Sequence, residues 1–342
     1  MTRADEPGGG IKYGPPAQRK REVDEIPDPD WSLFRMEDYI SSGGHHGVDL
    51  GRTMPILASR GCPYQCTFCS SPLMWTTLWK ARDPAAVVAE IKRYRDEYDA
   101  TNFDLYDLTA IVKKDWIIEF SKLLIEEVPG ITWQLPSGTR SEAIDEQVSR
   151  YLFASGCTNM NYAPESGNPR ILKAIKKKVK LDRMIESMKS ASSEGIGVKA
   201  NIMMGFPGET KRDLIPTFKF IARMAVTGVD DVSCYAVCPY PGSEMFRELL
   251  AEKKIALDYD FLLSMVNYTD PMKAKSCSEF MSDRFLRAIT HVGMGFFYSI
   301  SFVRYPWKAW RVFRNLFITK QPETKLESAL WRKLSKHDAL KE

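Results

Sequence analysis

The sequence predicts an α/β fold, a partial (β/α)6 TIM-type barrel with a helical C-terminal extension. Three observations predict it. Six short apolar segments of strand character recur between residues 53 and 237. Each is followed by residues at helical spacing, the crossover that parallel strands need. The alternation stops near residue 255, and residues 284–342 read as helical, aromatic and basic. A doubly wound sheet satisfies the same alternation, so both topologies stay open at this stage.

The elements follow in order. Residues 1–50 read as a linker, because Gly8-Gly9-Gly10, Pro15-Pro16 and the charged run from Arg19 to Asp24 pack no core. Trp31, Phe34 and Tyr39 are expected to tack it onto the body. Residues 51–255 carry the barrel. Met54 to Ser59 is its first strand. Asp83-Pro84 is an N-cap followed by proline at the first helical position, and Val87, Val88, Ile91, Tyr94 and Tyr98 continue at helical spacing. Asn102 to Leu108 is the second strand, Ile117, Phe120 and Leu124 mark a helix, and Ile131 to Leu135 is the third strand. Further strands are expected at 159–163, 198–204 and 231–237. Helices are expected at 145–154, 168–177, 181–194, 210–226 and 242–254. Residues 256–342 form the C-terminal region.

Composition excludes several classes. The chain has 342 residues, 44% hydrophobic and 27% charged, which excludes wholesale disorder. A net charge of +4 does not by itself point to nucleic acid. Seven cysteines are an odd number in a long chain and argue against a disulfide framework. No apolar run approaches ~20 residues, and the N-terminus has no apolar signal core, so the expected location is a reducing cytoplasm.

The chemistry lies just past the first strand, in Arg60-Gly61-Cys62-Pro63-Tyr64-Gln65-Cys66-Thr67-Phe68-Cys69. The spacing is C-x3-C-x2-C. Thiolate is the soft ligand that iron–sulfur clusters take, so Cys62, Cys66 and Cys69 can hold one. A cubane has four irons, so three cysteines leave one iron open to a substrate or cofactor. A zinc knuckle wants a fourth Cys or His at ligand spacing, and none follows. Three unrelated core cysteines are the remaining alternative.

This loop resembles the signature of the radical S-adenosylmethionine (SAM) superfamily. The resemblance extends over about residues 53–250. Tyr106-Asp107-Leu108-Thr109 ends the second strand, Arg140 follows the third and Glu165-Ser166-Gly167 the fourth. Met204-Gly205-Phe206-Pro207-Gly208-Glu209-Thr210 follows the fifth, and Pro239-Tyr240-Pro241-Gly242-Ser243 the sixth. Each alone reads as turn chemistry; together they fall in order at successive strand ends, where a barrel carries its site. The resemblance implies a 4Fe-4S cluster on the three cysteines whose open iron chelates SAM. It implies Phe68 near the adenine, Asp107 at the SAM amino group, and Arg140 at a SAM carboxylate or ribose. A surface salt bridge is the alternative for Arg140. Glu165 and Ser166 are expected at SAM hydroxyls or amine, and Gly205 where adenosine meets the backbone.

The element set is similar to the cobalamin-dependent type, which includes anaerobic magnesium-protoporphyrin ester cyclases and methyltransferases acting on unactivated carbon. Trp75, Trp79 and Ala81-Arg82-Asp83-Pro84 are similar to the cyclase type. Ile26-Pro27-Asp28-Pro29-Asp30-Trp31 looks like the linker that trails a cobalamin-binding domain. That domain is not among these residues, which leaves cobalamin use and methyl transfer open, and a truncated reading frame is one explanation.

Other residues are weighed against plainer roles. On one strand Cys234 and Cys238 would lie ~13 Å apart, too far for one small cluster, so they read as core thiols. Cys157 reads as core, Cys277 has no partner in sequence, and His291 reads as helix packing. His45-His46 offer a metal or cobalamin ligand pair on a glycine-rich loop. Residues 296–317 interleave Phe297, Tyr298, Phe302, Tyr305, Trp307, Trp310 and Phe313 with Arg304, Lys308, Arg311 and Arg314. This can be a helix packed on the barrel with its basic face in water, a peripheral membrane contact, or a nucleic-acid surface.

The expected function is that of a radical SAM enzyme. An external electron donor reduces the cluster, SAM is cleaved at C5′–S, and the 5′-deoxyadenosyl radical abstracts hydrogen. C–H functionalisation of an apolar small molecule, lipid or tetrapyrrole follows, by methylation, cyclisation or C–C bond formation. The alternatives are a tRNA methylthiotransferase-like enzyme and a non-catalytic metal-binding scaffold or truncated remnant. A nucleic-acid partner is disfavoured, because no cysteine precedes Cys62 and the C-terminus reads helical rather than as an RNA-binding barrel.

Overall fold

The computed structural model describes residues 20–42, 46–140, 142–266, 271–324, 326–328, 330–331 and 334. After the short helix α1 (Met36–Ser41), the chain enters β1 (Thr53–Ile56) and then a two-stranded hairpin, β2 (Ser59–Arg60) with β3 (Lys80–Ala81), that frames α2 (Ser71–Trp75). The alternation then runs α3 (Pro84–Tyr98), β4 (Asn102–Leu105), α4 (Lys114–Glu127), β5 (Thr132–Thr139), α5 (Glu146–Ala154) and β6 (Cys157–Glu165). It continues through α6 (Pro169–Ala174), α7 (Leu181–Ser193), β7 (Gly197–Met204), α8 (Leu214–Thr227), β8 (Asp231–Ala236) and α9 (Glu244–Ala251). The C-terminal region adds α10 (Tyr259–Ser264), α11 (Asp283–Arg304) and α12 (Pro306–Phe317).

The six barrel strands pair in parallel in the order β1-β4-β5-β6-β7-β8. This order follows the chain without the reversal that defines a doubly wound sheet, so the partial barrel is the observed topology. β1 and β8 are the two edges, and among the described residues no ladder closes the ring. Register puts Phe103, Trp133 and Cys157 on one row, and Tyr162, Ala200 and Val232 on another; all are buried under the helices. The alternate residues are polar. Gln134, Asn159, Asn161, Lys199 and Asn201 line a cavity with Tyr235, which is the strand period of two read on the opposite face.

Local chemistry sets the boundaries. The Asp83 carboxylate accepts from the Ala85 amide with Pro84 at the first helical position, as the sequence predicts. Thr210 and Asp213 form a reciprocal capping box ahead of α8, which ends on Gly228 at φ 110°. β5 and β6 extend to Thr139 and Glu165, beyond their expected ends, with register shifts that bend both strands near the mouth. The β2–β3 hairpin was not expected, because two-residue strands carry no readable period.

The stretch read as packing no core does pack one within residues 20–42 and 46–50. Val23, Met36, Ile40 and Val48 are buried, and Arg82 binds Asp28 at 3.0 Å. The Gly47 amide donates to Asp104 Oδ2 at 2.8 Å, and Val48 exchanges two hydrogen bonds with Gln134. A Cβ at Gly47 would lie 2.2 Å from the Gln134 side chain, so the glycine lets the chain pass close over Asp104 of β4 and Gln134 of β5. Gly8-Gly9-Gly10, Pro15-Pro16 and His45 lie outside the described residues.

The C-terminal region is helical as expected, but α12 is oriented against one expectation. Lys308 and Arg311 face the barrel, and the aromatic residues face outward. Cys157, Cys234 and Cys238 are buried free thiols, as read. His291 is exposed on α11 rather than packed, with Nδ1 2.7 Å from the Arg287 carbonyl. Among the described residues, no helix is long and apolar enough to cross a membrane.

Candidate functional site

The cysteine loop leaves the hairpin strand β2 through Gly61, at φ 86°. It is pinned at its centre: the Thr67 amide donates to the Ile175 carbonyl at 3.1 Å, and the Met245 amide donates to the Thr67 carbonyl at 2.8 Å. α6 and α9 therefore clamp the loop from opposite sides in sequence. Cys62 Sγ lies 3.4 Å from Thr109 Oγ1, and Cys69 Sγ accepts from the Ser71 amide at 3.4 Å. Cys62, Cys66 and Cys69 are all free thiols. Burial pushes the Cys66 thiol up, opposed by the nearby Lys177 ammonium. No three ligand groups among the described residues converge on one metal ion. A cubane does not ask for that, since each thiolate binds a different iron.

Arg140 and Glu165 come to the same loop from the ends of β5 and β6. The Arg140 guanidinium lies over the Tyr64 ring, 3.6 Å from its centroid, inside the C-x3-C spacing. Its Nε and Nη2 donate to Glu142, Nη2 donates also to the Lys178 carbonyl, and Nη1 is buried without a hydrogen-bond partner. Glu165 sits at φ 67°, a conformation costly for a residue with a side chain, and its Oε1 accepts from Lys177 Nζ at 2.9 Å. Both partners of that ion pair are buried. At the end of β7 the Glu209 carboxylate accepts from the Gly205 and Phe206 amides, at 2.6 and 3.2 Å. Its Oε1 is buried with no partner, and burial pushes its carboxyl up to about 7. Phe68 packs on Phe206 with ring centroids 6.1 Å apart.

The structure thus brings Cys62, Cys66, Cys69, Phe68, Arg140, Glu165 and the Gly205 turn to the C-terminal end of the barrel. Two further expected residues are there but engaged. Asp107 is fully buried; its carboxylate accepts from the Ala58 amide at 3.0 Å and from the Ser59 hydroxyl, and burial pushes it up to about 6. Ser166 Oγ accepts from the Asn168 amide and meets Thr217 Oγ1 at 3.2 Å. A Cβ at the adjoining Gly167 would lie 2.8 Å from α8 backbone, so Ser166-Gly167 seats β6 on α8. His46 contacts the Tyr106 ring and lies with Gly47 and Val48 at the cavity, away from the cysteines.

Four residues of the site were not singled out from sequence. Tyr64 and Lys177 carry no local signal, since their partners are distant in the chain. Glu209 and Phe206 lie inside the Met204-to-Thr210 element, whose glycines and proline read as turn chemistry.

An unfilled guanidinium nitrogen, an unfilled carboxylate oxygen and three free thiols on one loop form a donor set suited to a cluster and a zwitterionic amino-acid ligand. Comparison with known proteins agrees. Residues 56–221 match the family model described as the Radical SAM superfamily. The chain is 29% identical over 243 residues to an uncharacterized methyltransferase of Pyrococcus horikoshii, covering 71% of this chain and 50% of that protein. It is 25% identical over 292 residues to an anaerobic magnesium-protoporphyrin IX monomethyl ester cyclase of Cereibacter sphaeroides, covering 84% and 45%. The chain spans about half the length of these curated relatives. The solved cobalamin-dependent S-adenosylmethionine radical enzyme OxsB, with aqua-cobalamin and S-adenosylmethionine bound, matches with a TM-score of 0.51 at 13% identity. That match covers 84% of this chain and 50% of OxsB, and is a likeness of fold.

Proposed function

We propose, from the match of residues 56–221 to the Radical SAM superfamily model, that this chain is the core of an enzyme that functionalises an unactivated C–H bond of a small molecule. One observation carries the reading: three free thiols at C-x3-C-x2-C spacing sit on a pinned loop beside a buried guanidinium with an unfilled nitrogen. Cys62, Cys66 and Cys69 would hold a 4Fe-4S cluster and leave one iron for SAM. When bound, the two together supply one-electron cleavage of the C5′–S bond and a radical able to abstract hydrogen.

The chain's own residues bind and orient. Arg140 Nη1 offers a donor to the SAM carboxylate, and its stacking on Tyr64 holds that donor against the cluster loop. Glu165 accepts from the SAM amine or ribose hydroxyls. Lys177 balances its charge, so the site gains an acceptor without an unpaired buried anion. Phe68 and Phe206 offer a ring surface to the adenine. Asp107 and Ser166 serve the scaffold, since their side chains are already engaged.

Methylation, cyclisation and C–C bond formation are all open to this site. The name of the magnesium-protoporphyrin cyclase relative supports a tetrapyrrole. An external one-electron donor is required, and cobalamin is a candidate second cofactor by likeness of fold to OxsB.

The test is anaerobic. The chain is reconstituted with iron and sulfide, SAM and dithionite are added, and 5′-deoxyadenosine is quantified against Cys69→Ala. Formation by the wild type alone supports the reading. Zinc in place of an iron–sulfur cluster, with no product, overturns it.

A further inference from the structure

α12 reverses the usual arrangement of a surface helix. Two of its three cations, Lys308 and Arg311, point inward. Lys308 Nζ donates to the Gly228 carbonyl at 2.7 Å and the Val229 carbonyl at 3.0 Å, and pairs with Asp230 at 3.1 Å. Arg311 pairs with the same Asp230 at 3.0 Å and with Glu327 at 3.3 Å. Its aromatics point outward: Trp307, Trp310, Phe313 and Phe317 are 48–59% exposed, and Val303, at the end of α11, is 83% exposed. Trp310 stacks on Phe313 at 5.4 Å, and Phe313 meets Phe317 at 5.2 Å, so the strip is continuous. Four aromatic side chains about half exposed leave roughly 400 Å² of apolar surface, more than scattered surface residues account for.

The segment that carries the strip has one sign of charge. Residues 284–322 contain no Asp or Glu and seven Lys or Arg. With Lys308 and Arg311 turned inward, exposed Arg304 and Lys320 stand at the two ends of the strip, and Arg314, paired with Glu323, lies beside it. Docking a second copy would bring two such cationic sets together. An anionic lipid surface meets both features at once, since its headgroups neutralise the cations and its interfacial zone takes Trp and Phe.

We propose that α12 is an interfacial anchor that lies in the plane of an anionic bilayer, with Trp307, Trp310, Phe313 and Phe317 at the boundary between headgroups and acyl chains. Twelve residues make about 18 Å of helix, too short to span the membrane. The carbonyls that Lys308 grips belong to the turn just before β8. The anchor therefore sits at the base of the barrel, and the cysteine loop faces away from the lipid. This geometry does not depend on the reaction assigned above.

The test is co-sedimentation of the full chain with vesicles of phosphatidylcholine alone or with about one third phosphatidylglycerol. The anionic vesicles should bind at least about tenfold more tightly at low salt. Trp310→Glu with Phe313→Glu should abolish that binding while leaving the thermal melt unchanged, because both positions are exposed. Arg304→Gln and Lys320→Gln should each weaken binding about fivefold. The proposal is overturned if the wild type stays in the supernatant with both vesicles, or if the double glutamate variant binds like wild type. It is also overturned if that variant only converts a dimer to a monomer, which would make the strip a self-association surface.

Discussion

Lys177 and Glu165 are 12 positions apart in the chain and 2.9 Å apart in the fold, both buried beside the cysteine loop. Replacing Lys177 with Met strands the Glu165 carboxylate. Denaturant unfolding should show a loss of about 3–5 kcal/mol, much of it recovered when Glu165→Gln is added. Glu209 makes a different prediction. Its carboxyl is raised from 4.5 to about 7 in the folded chain, so the native state holds a proton that the unfolded state releases. Its contribution to stability is fully present below about pH 4.5 and is lost as pH rises through 7, by about 3 kcal/mol. Glu209→Gln should flatten thermal stability across that window, as followed by melts at pH 5, 6, 7 and 8. The cysteines, Arg140 and Glu165 were legible in sequence, because spacing and strand-end position are local. Tyr64 and Lys177 were not, because the pairs they form are decided by tertiary geometry. Asp107 was located at the mouth, but its role turns on the Ala58 amide and Ser59 hydroxyl, which only the fold brings to it.

At the scale of elements, the strands and helices were legible wherever a period of 2 or 3.6 ran for several residues. The strand ends were not, since β5 and β6 continue through register shifts that break the period. The amphipathic pattern of α12 announced two faces without saying which one docks. The deciding contact is Lys308, whose ammonium finds two carbonyls and a carboxylate that no apolar side chain would satisfy. Lys308→Met should therefore cost about 2–4 kcal/mol and raise amide hydrogen exchange across residues 306–317, with α3 to α7 unaffected.

At the scale of the molecule, the segment before β1 completes the barrel rather than trailing from it. A chain started at Gly51 loses the burial of Met36, Ile40 and Val48, about 5–8 kcal/mol at ordinary transfer values. Its melting point should fall by about seven to eleven degrees. The same segment occupies the N-terminal side of the sheet, where Gly47 and Val48 bond to Asp104 and Gln134. Traffic to the cysteine loop is therefore left to the opposite end. There the missing ladder between β1 and β8 takes on a mechanical meaning. A sealed barrel can dilate only by tearing backbone hydrogen bonds. This one has, among the described residues, a zipper left undone along one side, and no backbone ladder there resists its widening.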